Sequence, residues 1–436
     1  MKLSHFAATI CSCFILFKSF GNGAYFHGYT PLSSIIKLTQ NTARSSAREP
    51  INYISLLEKP IIDTPNNQID HLSHFTVGFG LHSPQRQQFK LKLEPNHDII
   101  PDDAQTFFLN VHGHVKSIAA ISRHAHKVFK GSAWLQEEHG GWEEVGWARI
   151  YVKRDGEKPL IEGAFSMFGD HHHIQLRSSY LQSRRESDVI TSSPRYPEDE
   201  QMVVYWDSDI AQGELSGLDS RSSSGLSCGA DQLDFNYEFS HPILGSRSGD
   251  FSPLSGPASS PERRQSGRIG NGNLQATIGS TAGCPIEGRV ALIGVATDCT
   301  YTASFASTDA VRENIISMVN TASQVYERTF NITIGLRNLT ISDEQCPTTA
   351  SAATPWNIDC SGGDIEERLN LFSTWRASTG DGNAYWTLMS TCNSGTSVGL
   401  AWLGQICVSG EVGSSSQSVS GANVVVRTPS EWQVFA

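Results

Sequence analysis

The chain has 436 residues, with 33 basic against 44 acidic side chains and a formal net charge of −11. That length suffices for about two to three domains with cores of their own, and the acidic balance excludes nucleic acid as the main partner, because phosphate binding calls for clustered Lys and Arg. All 15 histidines lie between His5 and His241, so the C-terminal region as written supplies no imidazole chemistry.

Residues 1–24 read as a secretory signal. Lys2 gives a positive start, residues 6–17 form an apolar stretch, and Gly21, Gly23 and Ala24 follow as small residues. Such a stretch is too short to span a bilayer, so the mature chain is expected to be soluble in the secretory pathway, outside the cell or at its surface. From about residue 25 to 176, alternating runs at 74–80 (HFTVGFG), 88–93 (QFKLKL), 147–153 (WARIYVK) and 171–176 predict a mainly β domain. Residues 177–227 are polar and Ser-rich, with an apolar island at 202–206, and residues 246–283 read as an exposed Ser/Gly/Pro-rich linker.

After Cys284 strands and helices alternate. Residues 289–297 (RVALIGVAT) predict a buried strand, and residues 309–326 a helix with Val311, Ile315, Ile316, Val319, Ala322 and Tyr326 on one face, capped by Thr308 or Asp309. A strand at 332–341, a helix at 364–375 and strands at 385–390 and 396–407 follow. This order favours an α/β domain with parallel pairing. The last piece, residues 429–436, starts with a capping signal (Thr428, Pro429, Ser430, Glu431), enters an apolar run and reads as the first turns of a helix.

Several motifs carry candidate chemistry. Asn331 and Asn338 head N-x-T triplets, the acceptor pattern for N-glycosylation. Arg263-Arg264, inside the linker, is a candidate site for a kexin/furin-type processing protease; Arg184-Arg185 is a second, with less open surroundings. Residues 395–399 fit G-x-S-x-G, but a nucleophilic Ser397 needs a histidine later in the chain, and none follows. In His171-His172-His173, strand alternation puts 171 and 173 on one face and 172 on the other. With no third ligand at clear spacing, this run is assigned to structure or surface rather than to zinc, as are His112/His114 and His124/His126. Once Cys11 and Cys13 leave with the signal, Cys228, Cys284, Cys299, Cys346, Cys360, Cys392 and Cys407 remain, an odd number for an oxidising compartment. Cys228, followed by Gly229 in a polar segment far from other cysteines, is the natural odd thiol. As a thiolate it suits the open position of a catalytic Zn²⁺; an ordinary disulfide is the other reading.

The second half resembles the fungal branch of the ADAM-type (reprolysin, metzincin) zinc metalloproteases, in residues 290–305 (VALIGVATDCTYTASF), 332–343 (ITIGLRNLTISD), 364–376 (DIEERLNLFSTWR) and 385–407. The first half resembles that family's propeptide in residues 89–101 (FKLKLEPNHDIIP) and 159–176 (PLIEGAFSMFGDHHHIQL). The resemblance implies a mainly β propeptide domain followed by an incomplete α/β metzincin-type catalytic domain. The divisions are a signal at 1–24, a propeptide at 25–245 ordered over about 50–180, a linker at 246–283 and the start of a metalloprotease domain at 284–436.

It further implies that Cys228 is a cysteine switch, the inhibitory zinc ligand of a zymogen, and that cutting near Arg264 releases it. Gly399, Leu400 and Ala401 correspond to the edge strand along which a peptide substrate lies antiparallel. Cys284, Cys299, Cys346, Cys360, Cys392 and Cys407 are disulfide candidates, Cys407 tending in this family to pair beyond the zinc motif. That motif, H-E-x-x-H-x-x-G-x-x-H, is expected directly after Ala436, so no catalytic residue is expected within this chain. The expected function is a secreted, latent zinc endopeptidase acting on proteins or peptides, with Zn²⁺ in the full-length protein, none bound by this chain, and this chain inactive as given. Membrane anchoring is expected only through parts beyond it. The alternative is a non-catalytic propeptide and half-domain that binds or inhibits.

Overall fold

The computed structural model describes residues 50–81, 87–190, 199–210, 233, 235, 285–392, 398–410 and 417–436. The signal segment, Cys228, Arg263, Arg264, Cys284 and Ser397 lie outside the described residues.

Strands β1 (Ser55–Ile62), β2 (Phe75–Leu81) and β3 (Gln88–Pro95) come first, then β4 (Gln105–Leu109), β5 (Val115–Ala120), β6 (Val128–Gln136) and β7 (Trp142–Arg154). β8 (Leu160–Met167), β9 (Asp170–Leu176), helix α1 (Arg177–Ser183) and β10 (Met202–Trp206) complete the first half. Eight of these strands close an antiparallel barrel in the order β1-β10-β9-β8-β7-β6-β3-β2, which removes the exposed edges an open sheet would carry. The period-two pattern of β3 shows why. Phe89, Leu91 and Leu93 point inward and are buried. Lys90 and Lys92 point outward, their ammonium groups 4.0 and 3.4 Å from the rings of Trp142 and Trp134.

The barrel interior is filled by Phe75, Phe79, Phe89, Phe129 and Phe165 among aliphatic side chains. His172 lies with them, fully buried, its ring 4.6 Å from that of Phe165. Its Nε2 has no partner among the described residues. Burial keeps this imidazole neutral, its pKa pushed down to about 3, and burial pushes His126, bonded through Nδ1 to the Tyr151 hydroxyl, down to about 4. An imidazole in the unfolded chain titrates near about 6.5, so below that pH the unfolded state takes up protons the barrel refuses, and stability falls with falling pH. His172→Phe is expected to leave stability near pH 7 within about 1 kcal/mol and to reduce the acid loss. Melting the variant and wild type at about pH 7 and about pH 5 checks this; an undiminished acid loss contradicts it.

The second half runs β11 (Arg289–Thr297), α2 (Cys299–Ala303), α3 (Thr308–Phe330), β12 (Ile332–Ile341), α4 (Ile365–Ala377), β13 (Trp386–Ser390), β14 (Gly399–Ala401), β15 (Ala422–Val426) and α5 (Glu431–Phe435). Ser307, one residue before the expected caps, accepts from the Ala310 amide and starts α3. Asn331 ends it in a left-handed conformation, which Asn tolerates better than most residues. β12, β11, β13 and β15 are mutually parallel neighbours, as the strand–helix alternation predicts, and β14 joins β15 antiparallel at the end of the order. β14 is shorter than the expected 396–407. After Ala401 the backbone takes positive φ at Gly404 and Cys407, and Trp402 leaves the sheet to donate from Nε1 to Ser373 Oγ at 2.7 Å.

β4 and β5 do not enter the barrel. β4 pairs parallel with β12, Gln105 opposite Asn338 and Phe108 opposite Ile341, and β5 pairs antiparallel with β4. The complete sheet is therefore β14-β15-β13-β11-β12-β4-β5, with two strands from the first half built into the sheet of the second. The turn between them seats against the second half. Gly113 has φ +77°, and a Cβ there would lie 2.0 Å from Thr354 Oγ1, so glycine is needed for both conformation and space. Disulfides join Cys299 to Cys346 and Cys360 to Cys392. Among the described residues Cys407 carries the free thiol.

Candidate functional site

α3 lies between the barrel and the second sheet. One face supplies Val311, Ile315, Ile316, Val319 and Ala322 to the shared apolar core. Val128, Tyr151 and Ala164 of the barrel belong to the same core, and polar pairs add to the contact. Fully buried Asn320 accepts from Asn96 Nδ2 at 2.8 Å and donates to the Phe129 carbonyl at 3.1 Å. Arg149 on β7 pairs with Glu327 at 2.5 Å, and Lys153 with Glu313 at 2.9 Å. Burial lowers the Arg149 pKa, an effect opposed by Glu327.

A second contact holds α5. His171 and His173 point outward from β9 toward one carboxylate, Asp207, which follows β10. His171 Nδ1 is 2.9 Å from Asp207 Oδ2, and His173 Nε2 is 2.8 Å from Oδ1. Gln433 on α5 donates from Nε2 to the same carboxylate at 2.9 Å. The indole Nε1 of Trp432, also on α5, donates to His173 Nδ1 at 2.9 Å. Burial raises the Asp207 pKa, but the hydrogen bonds from both histidines outweigh it and hold the carboxyl well below the usual range. Gln175 Nε2 also bonds the Pro429 carbonyl, just before α5.

Glu431 opens α5 and is buried on the other side of this contact. Its Oε1 accepts from Asn314 Nδ2 at 2.6 Å and from the Tyr301 hydroxyl at 3.1 Å, while Oε2 lacks a partner among the described residues. Burial raises its pKa. A cleft of about 60 Å³ separates the halves here, lined among others by Glu162, His173, Asn314, Arg427 and Glu431. β14 meets α5 directly: a Cβ at Gly399 would lie 2.7 Å from Val434 Cγ1. Leu400 and Trp402 join Leu233 and Phe235 in one apolar cluster. Phe235 meets the Trp402 ring edge-on at 6.0 Å, and its amide donates to Gln417 Oε1 at 2.9 Å.

Residues 287–436, the segment that contains β11 to β15 and α5, match the family model described as Metallo-peptidase family M12, Reprolysin_5. Over 412 residues the chain is 48% identical to the "Disintegrin and metalloproteinase domain-containing protein B" of Aspergillus fumigatus, covering 91% of this chain and 52% of that protein. The proteins of the same description from Trichophyton verrucosum and Arthroderma benhamiae are 44% and 45% identical, over 93% and 90% of this chain and 53% and 51% of theirs. This chain belongs to the fungal ADAM-type metalloproteases. It spans about half the length of these curated relatives.

An M12 metallopeptidase implies zinc, and the described part of this ADAM-type chain does not fit that ion. Among the described residues no group of three His, Cys, Asp or Glu is placed to hold a metal. Both ring nitrogens of His173 are engaged by Asp207 and Trp432. His112 and His114 sit at the β4–β5 turn, their amides bonded to Asn110 Oδ1. His124 packs edge-on against His71 at 4.2 Å.

The remaining candidates are distributed over the described structure. Asn331 is exposed at the end of α3, its Nδ2 bonded to the carbonyls of Pro285 and Ile286. Asn338, within β12, accepts from Asn383 Nδ2 at 2.8 Å. Arg184 and Arg185 are tied to Asp188, through Arg184 Nη1 to its carbonyl and the Arg185 amide to its Oδ2. Among the described residues no helix is long and apolar enough to cross a membrane. Sequence reasoning passed over Asp207, Trp432 and Gln433. The one available signal was the apolar run at 202–206: recognised as the partner strand of 171–176, it would have put Asp207 beside the outward-facing histidines.

Proposed function

We propose that the chain is the N-terminal part of a secreted, latent zinc endopeptidase that hydrolyses peptide bonds in proteins, held latent by its first half. The observation that carries this reading is the burial of Leu233 and Phe235, 1% and 4% exposed, against Leu400 and Trp402 beside the edge strand. Four residues lie between Cys228 and Leu233, a tether of about 17 Å at full extension, short enough for a thiolate at 228 to act near the strand that would take substrate. The names of the relatives, which include the word metalloproteinase, support the same reading.

In this proposal Cys228 is the inhibitory zinc ligand, and Gly399, Leu400 and Ala401 take the substrate backbone as an added antiparallel strand. A kexin/furin-type protease cuts after Arg263-Arg264, and Asn331 and Asn338 are glycan acceptors. Zinc is held by residues other than the described ones. The divisions are those of a signal, propeptide, linker and start of a protease domain at 1–24, 25–245, 246–283 and 284–436. The test is a fluorogenic-peptide assay of the protein carrying its whole protease domain. The uncut form is expected to be silent, and Cys228→Ser to raise its activity at least about tenfold; Arg264→Ala is expected to block activation. An uncut wild-type form as active as the processed one would count against latency. Residues 25–436 alone are expected to hydrolyse nothing.

A further inference from the structure

We propose that His173 is a proton-operated latch between the propeptide barrel and the first turn of α5, closed by the neutral ring and opened by the protonated one. The tautomer is dictated by the partner. An indole N–H has no lone pair and only donates, so the Trp432 contact at 2.9 Å requires a bare Nδ1 on His173. The proton of the neutral ring then sits on Nε2, where it is donated to Asp207 Oδ1 at 2.8 Å. A second proton has only Nδ1 to occupy. There it would face the Trp432 N–H donor to donor, so binding a proton and binding Trp432 exclude each other at that atom.

The asymmetry decides where the latch parts. Protonation strengthens the bond between His173 and Asp207, both on the barrel, and removes the bond to α5. His173 is 1% exposed and Trp432 7%. The charged and titratable groups around the ring are Asp207, His171 and His172 from the barrel, Tyr205 stacked on it at 4.6 Å, Glu162 from β8, and Glu431 and Arg427 from the α5 side. Of these only Asp207 bonds His173 directly, and its carboxylate stays charged through the acid range in which imidazoles gain their proton. Gln433 keeps its bond to Asp207 in either state, so acid loosens α5 without detaching it. That this loosening weakens latency rests on the zymogen reading above; the latch itself does not.

Hydrogen exchange on the intact chain reads the latch independently of any peptidase activity. Protection of the backbone at 429–436, corrected for the intrinsic pH dependence of exchange, is expected to fall about tenfold between about pH 7.5 and about pH 5, with protection of β8 and α3 as the reference for global stability. His173→Gln offers an acceptor to Trp432 and a donor to Asp207 without titrating, and its α5 protection is expected to stay level over that range. His173→Phe keeps the stack but neither bond, and is expected to lack α5 protection at both pH values. Wild-type protection at 429–436 that does not change with pH relative to β8 and α3 overturns the proposal, whatever the variants do. So does a His173→Gln chain that loses protection in acid as wild type does, which would assign the response to Glu431 or His171.

Discussion

Replacing Asp298 with alanine is expected to destabilise the second half of the chain by about 3 to 5 kcal/mol, enough to threaten folding at physiological temperature. Asp298 and Arg368 are 0% and 1% exposed, with Oδ2 and Nη1 3.1 Å apart. The other carboxylate oxygen caps α2, accepting from the Tyr301 amide at 2.8 Å and the Thr300 hydroxyl at 2.7 Å. Arg368 in turn donates to the carbonyls of Ile358 and Asp359. Burial works against both charges, raising the pKa of the acid and lowering that of the base, so each is tolerated only because the other is there. Alanine leaves a buried guanidinium without its counter-charge and a helix start without its cap. Asp298→Asn keeps an acceptor and should lose less. Asp298→Ala combined with Arg368→Leu should recover part of the loss, because the orphaned charge goes too. Denaturant midpoints of the three variants decide it, and a loss under about 1 kcal/mol for Asp298→Ala would contradict the assignment.

Thr106→Pro is the second large effect expected, and it tests whether the first half builds part of the sheet of the second. β4 has β12 on one side and β5 on the other, so each interior amide faces a ladder. Proline removes one such bond and forces its ring into a packed sheet, at about 3 kcal/mol or more. Thr106 is fully buried, which adds steric cost. The expected result is a lower melting temperature together with lost exchange protection in β12, residues of the metalloprotease half that were not altered. Protection lost only in β4 and β5 would mean that the hairpin merely rests against that sheet.

Much of the fold is legible in local pattern. The 3.6-residue spacing from Val311 to Tyr326 marks the face of α3 that enters the core, and the runs at 289–297 and 332–341 coincide with β11 and β12. The opposition of His172 to its neighbours follows from the pleat alone: His172 is inside the barrel and His171 and His173 are outside it. These features depend on residues a few positions apart, whose geometry the backbone repeats enforce. The partnership of β4 with β12 has no such signature. Gln105 meets Asn338, and a short run, QTFFL, pairs equally well with any suitable edge until the rest of the chain has chosen one. The island at 202–206 looked isolated in polar sequence because α1 and its flanks separate β10 from β9, while in space Tyr205 lies opposite His173.

The amino-acid sequence by itself determined the membership of the chain in the ADAM-type family, the alternation that makes α3, β11 and β12, and the side of β9 on which each histidine stands. Tertiary structure alone decided what those histidines do. Their partner Asp207 and the indole of Trp432 come from two distant elements that meet only when the barrel docks on α3. A hydrogen bond is set by ångström-scale distance and by which nitrogen is bare, neither of which residue order encodes. The same docking puts β4 and β5 into the second sheet, because an unpaired strand edge takes the nearest matching strand regardless of which half of the chain supplies it.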